Sequence, residues 1–448
     1  MPDWRKSMQQ TFEYYVVDPG TWRDISKLDT IISCTITWDS ETDTLGSATI
    51  DSTETLGECY VRVYLVTVQN GVTERFPLGT FLVQTPSTSF DGKITTVSMD
   101  AYTPLLELKE NPPHLGYSIL KEEKDSDGKT VETNVMERAY QIVRDNVRAP
   151  VVGASSEKTL DYDFVSDTDD TWLTYTRDLI STAKFKFALD EMGRILFSPK
   201  QDTASLQPVT TFDDSNSSIL YPDVTLDRDL YGIPNVVEVT YSNNSAFYHA
   251  RVVNNDPNSP ISTVNRGREI IYRETNPSNL GNPTDDMIQE YAHQLLRDLS
   301  AVEIKVKYTH GYYPVRIDDC VRLDYKKAGL NNVKARVINQ SIKCVPGCSV
   351  KETSVYTNRL WNIEKYYITY DANGGNDKSV PHRQTKWNGS DLRISDTIPT
   401  CDGKTFLGWA EFTHFVEDGE NKVNTEVAYR PGDAYDRNSN ITLYAVWG

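Results

Sequence analysis

The sequence lacks any run of eighteen apolar residues, and its opening residues 1–15 hold no apolar segment of the kind that a secretory signal needs. We therefore expect neither a membrane-spanning helix nor a signal peptide. Cysteine is also sparse, because only six residues are scattered over 448 positions. That is unlike the dense disulfide framework of a small secreted domain, so the sequence predicts reduced cysteines in a protein made in a cytosol.

Motifs for common catalytic and metal-binding sites are missing as well. The six histidines form no HExxH pattern, and the chain contains neither a GxSxG elbow nor a Walker loop. Cys344 and Cys348 are close in sequence, but the Pro-Gly between them favours a hairpin turn over a zinc site. Cys34 and Cys59 lie in strand-like runs, and His293 lies beside the apolar stripe of a predicted helix, so packing is the simpler role for all three. We predict no catalytic, cofactor-binding or metal-ligating residues, no cofactor and no enzymatic activity.

Positive charge is in the minority, with 46 lysines and arginines against 64 aspartates and glutamates, a formal net charge of −18. This balance argues against tight, sequence-independent binding to nucleic acid or to an anionic membrane, since both require clustered positive charge. Aromatic residues make up 10% of the chain, including 26 tyrosines, which is more than a disordered chain would hold. Exposed tyrosines suit carbohydrate or protein contacts. Ordinary β-sheet surfaces carry them too, and we favour that second interpretation.

Alternating strand patterns fill residues 1–108. Ile31–Trp38 and Tyr60–Val68 alternate, with β-branched and aromatic residues on one face. Gln69–Gly71 supplies a hairpin turn, because Asn-Gly accepts the positive φ that such turns require, and Phe90–Lys93 supplies a second one. Helical periodicity is absent, so this segment is predicted to be a β domain.

Residues 109–235 change to a mixed pattern. Thr133–Val147 carries an amphipathic stripe that predicts a helix, in which Asn134 and Glu137 could form a capping box. A second helix is predicted from about Asp169 to Thr182, and a hairpin follows over residues 185–197. Helices beside short hairpins predict a small α+β insert.

An acidic run, Asp161–Asp170, precedes the second helix. It could offer carboxylates to calcium, but it lacks the glycine and the distal glutamate of an EF-hand loop. We favour a structural role, in which Ser166 or Asp167 caps the helix while Asp169 and Asp170 interact with its dipole. Acid pairs for glycoside hydrolysis stay open, since the fold sets the spacing of two carboxylates.

Residues 236–362 return to strands, such as Val236–Tyr241 and Val302–Tyr308, and are predicted to form a second β domain. One helix interrupts them, with Thr284 as its N-cap and two aspartates in its first turn near the positive end of the dipole. Residues 363–448 are predicted to be a separate appendage. Its aromatic residues Tyr370, Trp409 and Trp447 could pack one small core.

Both β domains resemble the tail hub proteins of bacteriophages. In the first domain the resembling segments are Phe76–Val83, Phe90–Ile94, Ser98–Tyr102 and Leu105-Leu106. In the second domain they are Ile233–Tyr241, Asn255–Ser262, Gly267 and the hairpin Ile317–Leu323. In that hairpin Asp318-Asp319 replaces the usual Gly-Asp turn.

The appendage resembles the Listeria–Bacteroides repeat, a β-grasp module of bacterial surface proteins. The resembling segments are Tyr370–Gly375, Phe406–Trp409, Pro431–Asp433 and Leu443–Trp447. An insert near His414 to Asn424 is longer than the family pattern leads us to expect. Because such modules usually come in arrays in adhesins, a single copy implies a peripheral decoration.

Together the resemblances imply a mainly β fold with an α+β insert. They imply two tail-tube-like β-barrel or sandwich domains (1–108 and 236–362), the insert (109–235) and a β-grasp domain (363–448). Tail hubs are trimers in which two tube-like domains per chain build a six-position ring, so that a three-fold tip can seal against a six-fold tail tube. The resemblance therefore implies a structural baseplate-hub protein at the distal tip of the phage tail in the virion, which takes part in host attachment and genome ejection.

The partners implied by this resemblance are two further copies of the chain, the distal tail protein, the tape measure protein and other tail-tip or receptor-binding proteins. The host cell surface is a further candidate. DNA would pass through the lumen without specific binding, and an acidic lumen would not retain it.

Two alternative functions stay open. A bacterial-surface adhesin is suggested by the appendage and the tyrosines, although the missing signal peptide and the single module argue against it. A tail-borne cell-wall glycan hydrolase could use two of the many acids. Many hubs continue into a peptidase or lysin domain and none follows here, so we expect no lytic role.

Overall fold

Strands outnumber helices in both parts of the chain. A computed structural model describes residues 2–93, 95–124, 128–243, 246–278, 280–281, 283–361, 363–388, 392–412 and 426–448. The insert that the sequence predicts near His414 to Asn424 lies outside the described residues. The strands up to residue 228 are β1 (Gln9–Val17), β2 (Asp24–Lys27), β3 (Ile31–Asp39), β4 (Gly46–Ser52), β5 (Tyr60–Gln69), β6 (Val72–Phe90), β7 (Thr95–Tyr102), β8 (Ser118–Ile119), β9 (Glu122–Lys124), β10 (Thr130–Glu132), β11 (Val151–Val152), β12 (Phe164–Val165), β13 (Phe185–Leu189), β14 (Ile195–Pro199), β15 (Thr211–Asp213) and β16 (Leu220–Arg228).

The rest of the chain continues in the same manner. Its strands are β17 (Val236–Ser242), β18 (Phe247–Val253), β19 (Ile271–Thr275), β20 (Ala301–Gly311), β21 (Cys320–Tyr325), β22 (Leu330–Lys343), β23 (Ser349–Arg359), β24 (Lys365–Asp371), β25 (Gln384–Trp387), β26 (Leu392–Arg393), β27 (Phe406–Ala410), β28 (Ala434–Tyr435) and β29 (Ile441–Trp447). The helices are α1 (Leu106–Glu110), α2 (Val135–Asn146), α3 (Trp172–Thr182), α4 (Thr263–Arg266) and α5 (Asp285–Leu299). The predicted fold class, mainly β with a smaller helical part, is confirmed.

Two compact units divide the chain: unit 1 (Met1–Arg228 and Ile304–Tyr356) and unit 2 (Asp229–Glu303 and Thr357–Gly448). Unit 1 is built around one sheet that joins thirteen strands of the described chain. Its first half has the strand order β3-β4-β7-β6-β5-β1-β2, with antiparallel neighbours throughout. Its second half has the order β16-β20-β23-β22, with β21 also on β22 and β15 parallel to β21. We call these the first and second sheet halves.

Period-two alternation sets which side of each half is buried. On β3, Cys34, Ile36 and Trp38 are buried while the residues between them are partly exposed. Strand β20 repeats this pattern, and its buried side includes Val306 and Tyr308. A register slip of one residue would turn these side chains to solvent, so burial fixes the pairing. The predicted Asn70-Gly71 hairpin is confirmed, because both residues have positive φ between β5 and β6.

The helices α2 and α3 pack against each other in the insert. In the chain, this insert lies between the strands of the first and the second sheet half. Asn134 accepts hydrogen bonds from the backbone of Met136 and Glu137, each at 3.0 Å, so it is the N-cap of α2 as predicted. The predicted capping box is only half formed, because the Glu137 side chain does not bond back to the backbone of Asn134. The predicted cap of α3 is wrong: Thr171, and not Ser166 or Asp167, is its N-cap.

Thr171 is the N-cap of α3 because its hydroxyl accepts a hydrogen bond from the backbone N–H of Thr174 at 3.2 Å. The Thr174 hydroxyl in turn accepts from the Thr171 backbone at 2.9 Å. This reciprocal capping box satisfies two N–H groups that no acid before residue 171 reaches. Asp170 instead accepts a hydrogen bond from the Thr174 hydroxyl at 2.8 Å.

Unit 2 contains a three-stranded and a four-stranded sheet, each with its own apolar core, and β26 pairs with β28 beside them in sequence. The strands β18-β17-β19 form one sheet, on which α5 packs Ile288, Ala292 and Leu296. The predicted cap of α5 is confirmed, since the Thr284 hydroxyl accepts from the backbone of Met287. The other sheet has the order β25-β24-β29-β27, with β24 and β29 parallel.

The second sheet of unit 2 is the predicted appendage. Tyr370, Trp409 and Trp447 belong to one buried cluster there, as the sequence predicts. Its assignment as a β-grasp module stays a proposal.

The compact units divide the chain differently from the four predicted domains. The predicted second β domain, 236–362, contributes residues up to 303 to unit 2 and residues 304–356 to unit 1. Strands β15 and β16, which the sequence assigns to the insert, pair with β21 and β20 of the second sheet half. Local alternation shows that a strand exists but not which distant strand it pairs with. The four-domain division therefore stays a prediction.

No helix in the described ranges has both the length and the apolar character that a bilayer span requires.

Candidate assembly site

The two sheet halves meet where β3 pairs with β22, and we call this junction the seam. It runs antiparallel from Asp39 opposite Asn339 to Thr35 opposite Lys343. The first part of β22 pairs with β21 and its last part pairs with β3, so β3 takes over as the neighbour of β22 where β21 ends. Beyond the paired strands, the backbone of Cys344 donates to Cys34 O at 3.0 Å. Backbone hydrogen bonds thus hold segments from opposite ends of unit 1 side by side.

Side chains reinforce one end of the seam. The Asn339 amide nitrogen donates to Asp39 Oδ2 at 3.0 Å, and the backbone N–H of Ser40 donates to Ile338 O at 2.9 Å. The Ser40 hydroxyl donates to the same carbonyl at 3.1 Å. These bonds fix the register of the two halves beyond what the ladder alone provides.

A buried polar cluster, which we call the Glu352 centre, lies on the second sheet half behind the seam. Glu352 accepts hydrogen bonds from Gln340 Nε2 at 2.7 Å and from the Tyr308 hydroxyl. His310 Nε2 lies 3.2 Å from the same carboxylate, and Ser354 contacts the Tyr308 hydroxyl at 2.8 Å. All five side chains are buried. A buried carboxylate is tolerated only when donors surround it, and here several converge on it.

The Glu352 centre is connected to the seam through Gln340. This residue lies opposite Trp38 of β3, and its amide nitrogen also donates to Val315 O at 3.0 Å. Burial raises the pKa of Tyr308 well above its ordinary value, with Glu352 contributing in the same direction, so its hydroxyl stays a donor.

The turn between β13 and β14 of the insert contacts the first sheet half. Met192 O accepts from Trp22 Nε1 at 2.7 Å and from Arg62 Nη2 at 3.1 Å. Glu191 O accepts from the Thr80 hydroxyl at 3.3 Å. The backbone carbonyls of the turn therefore accept hydrogen bonds from side chains of β5, β6 and the loop after β1.

The same turn also contacts the second sheet half. Arg316 forms a two-pronged ion pair with Glu191, with Nη2 at 2.7 Å from Oε2. Lys186 of β13 pairs with Asp318 at 2.5 Å. The insert is thereby fastened to both sheet halves, and we call this arrangement the hairpin clamp.

Arg62 is the most deeply buried charge of the clamp, with 1% of its surface exposed. Its guanidinium pairs with Asp24 at 2.7 Å and donates through Nε to the Thr80 hydroxyl at 2.9 Å. A planar guanidinium can serve several acceptors at once, which explains an arginine rather than a lysine at this position.

The cysteines that the sequence singles out lie in unit 1. The Pro-Gly between Cys344 and Cys348 forms the predicted turn between β22 and β23, closed by a hydrogen bond from Cys348 N to Val345 O at 2.9 Å. All six cysteines are free thiols, and Cys34 and Cys344 are buried while Cys59 is partly exposed. Burial raises the pKa of Cys59, so its thiol is not activated. In the described part of the chain no three histidine, cysteine or acidic side chains are placed to hold a metal ion.

Unit 2 contains a cleft of about 1050 Å³ between the sheet of β18 with α5 and the strand β25. Its lining mixes both charge signs and aromatic rings, including Arg251, Asp286, His293, Arg383 and Trp387. His293 stacks on Trp387, with ring centroids 4.6 Å apart. This is a packing contact of the kind expected from the sequence, and the absence of a ligand role stays a prediction.

Neither the Glu352 centre nor Arg62 is among the residues predicted from the sequence, although a signal for each is present. In Val350–Ser354 the inward positions of the alternation are Val350, Glu352 and Ser354, so two polar residues fall where apolar ones are expected. Arg62 likewise occupies a position inside an apolar run of β5. A polar residue on the buried face of a strand indicates a partner elsewhere in the fold.

Comparison with protein-family models and with curated proteins found no match. Among solved structures, the chain is similar to a tail protein from Neisseria meningitidis MC58, at 11% identity and a TM-score of 0.49, over 77% of this chain and 97% of that one. A 43 kDa tail protein of prophage MuSo2 from Shewanella oneidensis gives 10% identity and 0.48, over 78% and 98%. The E. coli c3393 protein, a component of the type VI secretion system that is structurally similar to T4 bacteriophage tail proteins gp27 and gp5, gives 8% identity and a TM-score of 0.41, over 78% of each chain.

Proposed function

We propose that this chain is the structural hub of a phage tail tip or baseplate. Three copies would form a ring at the distal end of the tail tube and join a six-fold tube to a three-fold tip. The ring would contact the distal tail protein, and the tape measure protein and other tail-tip or receptor-binding proteins would be further partners. The function would be structural and not enzymatic, in host attachment and genome ejection at the tip of the virion.

The seam is the observation that carries this proposal. A three-fold ring can present six similar positions only if each chain contributes two sheet segments held side by side. The first and second sheet halves are two such segments, and β3 and β22 join them into one continuous sheet. The hairpin clamp then fixes the insert against both halves, through Arg62 on one side and Arg316 on the other.

The appendage has a peripheral role in this proposal. Its parallel pairing of β24 with β29 and its aromatic core are consistent with a β-grasp module of the Listeria–Bacteroides type. We propose that it decorates the ring and contacts either a neighbouring tail protein or the host cell surface. DNA would pass through the lumen without specific contacts, as expected for a chain with a net charge of −18.

Solution mass and imaging test the ring. Size-exclusion chromatography with light scattering, with and without the distal tail protein, should give three times the chain mass of 50.8 kDa. Negative-stain class averages should show a three-fold particle with a central opening. A chain that stays monomeric under both conditions, or a three-fold particle without an opening, would contradict the proposal.

A charge variant tests whether the seam supports the ring. Asn339→Asp would place a second carboxylate beside Asp39 and loosen one end of the seam. We expect a reduced trimer fraction with an unchanged far-ultraviolet circular dichroism spectrum. Asn331→Asp adds the same charge at an exposed position of the same strand and should assemble normally. If both variants form the same fraction of trimer, the seam is not needed for ring assembly.

Release of soluble sugars from host cell walls tests the remaining enzymatic alternative. The proposed hub should release none above a buffer control.

A further inference from the structure

Three of the six cysteines lie together in the core of unit 1, next to the seam. Cys34 is on β3, and Cys344 and Cys348 are at the two ends of the turn that follows β22. All three belong to one apolar cluster and are at most 5% exposed. The ring of Tyr14 packs in the same cluster.

The register places two of these cysteines opposite each other. Lys343 pairs with Thr35, so one step further along the antiparallel ladder Cys344 lies opposite Cys34. A backbone hydrogen bond of 3.0 Å from Cys344 to Cys34 marks this step. Opposed residues of a hydrogen-bonded antiparallel pair have Cα atoms about 5.5 Å apart, inside the range of about 4.4–6.8 Å that a disulfide spans.

The side chains also point to the same side of the sheet. Both are buried in the same cluster, and opposed residues of an antiparallel pair project their side chains from the same face. Bond formation would therefore need rotation of two side chains and little movement of the backbone.

We propose that Cys34 and Cys344 are a disulfide-forming pair that locks the seam when the protein leaves a reducing environment. The reaction is thiol–disulfide exchange with a small-molecule disulfide. One cysteine attacks it as the thiolate, which forms a mixed disulfide and releases one small thiol. The other cysteine then displaces the second small thiol, so the protein loses two electrons and two protons and the oxidant becomes two thiols.

The environment of the pair makes this reaction slow. The neighbouring Cys34 thiol, together with burial, raises the pKa of Cys344 well above its ordinary value. Burial raises the pKa of Cys348 to about 12. Because the thiolate is the attacking species, the pair should stay reduced in a cytosol and react faster as the pH rises.

The bond would join the first and second sheet halves covalently, at positions that are distant in the chain. A crosslink between distant positions restricts the unfolded chain strongly and so favours the folded state. The inference concerns a single chain and does not rest on the proposed function, so it can hold or fail independently of any ring.

Thiol counting on the full-length protein tests the pair. The reduced protein is incubated with oxidised glutathione at pH 8.5, unfolded in an alkylating reagent, and compared by mass with a sample kept reduced. We expect two fewer alkylated thiols than the six of the sequence, and a crosslinked peptide that contains Cys34 and Cys344. The apparent melting temperature should rise by at least about 5 °C.

Cysteine variants make the result specific. Cys348→Ala removes the competing thiol and should keep the crosslink, and so should Cys320→Ala, which alters a buried cysteine elsewhere in unit 1. Cys34→Ala should lose it. Six alkylated thiols in the oxidised wild type, or a crosslink that needs Cys348, would overturn the proposal.

Discussion

Two histidines, one in each unit, pack against an aromatic ring, but their ring nitrogens differ in hydrogen bonding. In unit 1, His310 packs at a tilt against Phe212, with ring centroids 4.4 Å apart, and its two nitrogens lie 2.7 Å from Gly311 O and 3.2 Å from Glu352. In unit 2, His293 stacks on Trp387 at 4.6 Å, but its buried Nδ1 has no hydrogen-bond partner among the described residues. The first histidine belongs to a polar network, whereas the second is packed as if it were apolar.

The difference shows two ways of burying a polar group. In unit 1 the Glu352 centre and Arg62 meet partners of complementary charge and geometry, so each group holds a specific neighbour in place. In unit 2 burial instead lowers the pKa of His293 to about 4, which keeps the ring neutral. We expect unit 1 to respond mainly to the loss of partners and unit 2 to respond mainly to pH.

The largest effect should come from removing the buried charge of the clamp. Arg62→Met takes the nearest cation from Asp24, which keeps Arg75 at 3.8 Å, and removes one hydrogen-bond donor each from the Thr80 hydroxyl and Met192 O. Because Asp24 is partly exposed, we expect a loss at the lower end of the cost of breaking a buried ion pair, which is about 3–5 kcal/mol. Urea unfolding followed by circular dichroism measures the loss. Lys27→Met removes an exposed cation from the same half and should leave the midpoint almost unchanged, so equal shifts in both variants would contradict the role of Arg62.

The Glu352 centre should be the next most sensitive position. Glu352→Leu removes the carboxylate that accepts from Gln340 and Tyr308 and leaves them with Val315 O and the Ser354 hydroxyl, which we expect to cost about 3 kcal/mol. Glu352→Gln keeps one acceptor oxygen and should lose roughly half as much. The same unfolding assay applies, with Lys351→Leu on the exposed side of β23 as the control. A Leu variant as stable as the Gln variant would show that the network contributes packing and not hydrogen bonds.

A smaller effect is expected where the hairpin clamp needs a glycine. Gly193 has φ of +75°, and a Cβ atom there would lie 2.7 Å from the Thr80 Cβ and 3.1 Å from the Trp22 ring. Gly193→Ala should therefore destabilise unit 1 by about 2 kcal/mol, from backbone strain and overlap together. Gly116→Ala has a similar φ of +76° but meets open space, so it isolates the strain. If the two variants unfold at the same urea concentration, the overlap of the new Cβ atom with Thr80 and Trp22 does not contribute to the loss of stability.

Local features of this fold could be predicted from the sequence, whereas its long-range pairing could not. The Asn70-Gly71 turn and the Thr284 cap follow from residues adjacent in the chain, and both are found. The strands β3 and β22 pair although they lie some 300 residues apart in the chain. The alternation of buried and exposed residues in each strand does not indicate which strand it pairs with.

The candidate site shows the same limit. Burial of Cys34 follows from its strand pattern, but its position opposite Cys344 follows only from the seam. At α3, Ser166, Asp167 and Thr171 are all good capping residues, and the position of the first helical turn decides among them. Competition between near-equal local signals is thus resolved by packing that the sequence does not display.

The smallest predicted effect, a pH response of unit 2, sharpens the comparison of the two histidines. The folded pKa of His293 is about 4, below its ordinary value of 6.5, so the unfolded chain binds more protons between these limits. The contribution of His293 to stability is therefore complete above pH 6.5 and is lost as the pH falls towards 4. Since the side chain is not fully enclosed, we expect a loss of about 1 kcal/mol over this range.

His293→Phe separates this response from the carboxylates that also titrate in acid. The variant keeps a ring against Trp387 but has no proton to gain, so its stability should fall less than that of the wild type between pH 6.5 and 4. Thermal unfolding at matched pH values, followed by tryptophan fluorescence, measures both curves. If the stabilities of the wild type and the variant fall in parallel with pH, protonated His293 is solvated. The unpaired Nδ1 atom would then not distinguish unit 2 from unit 1.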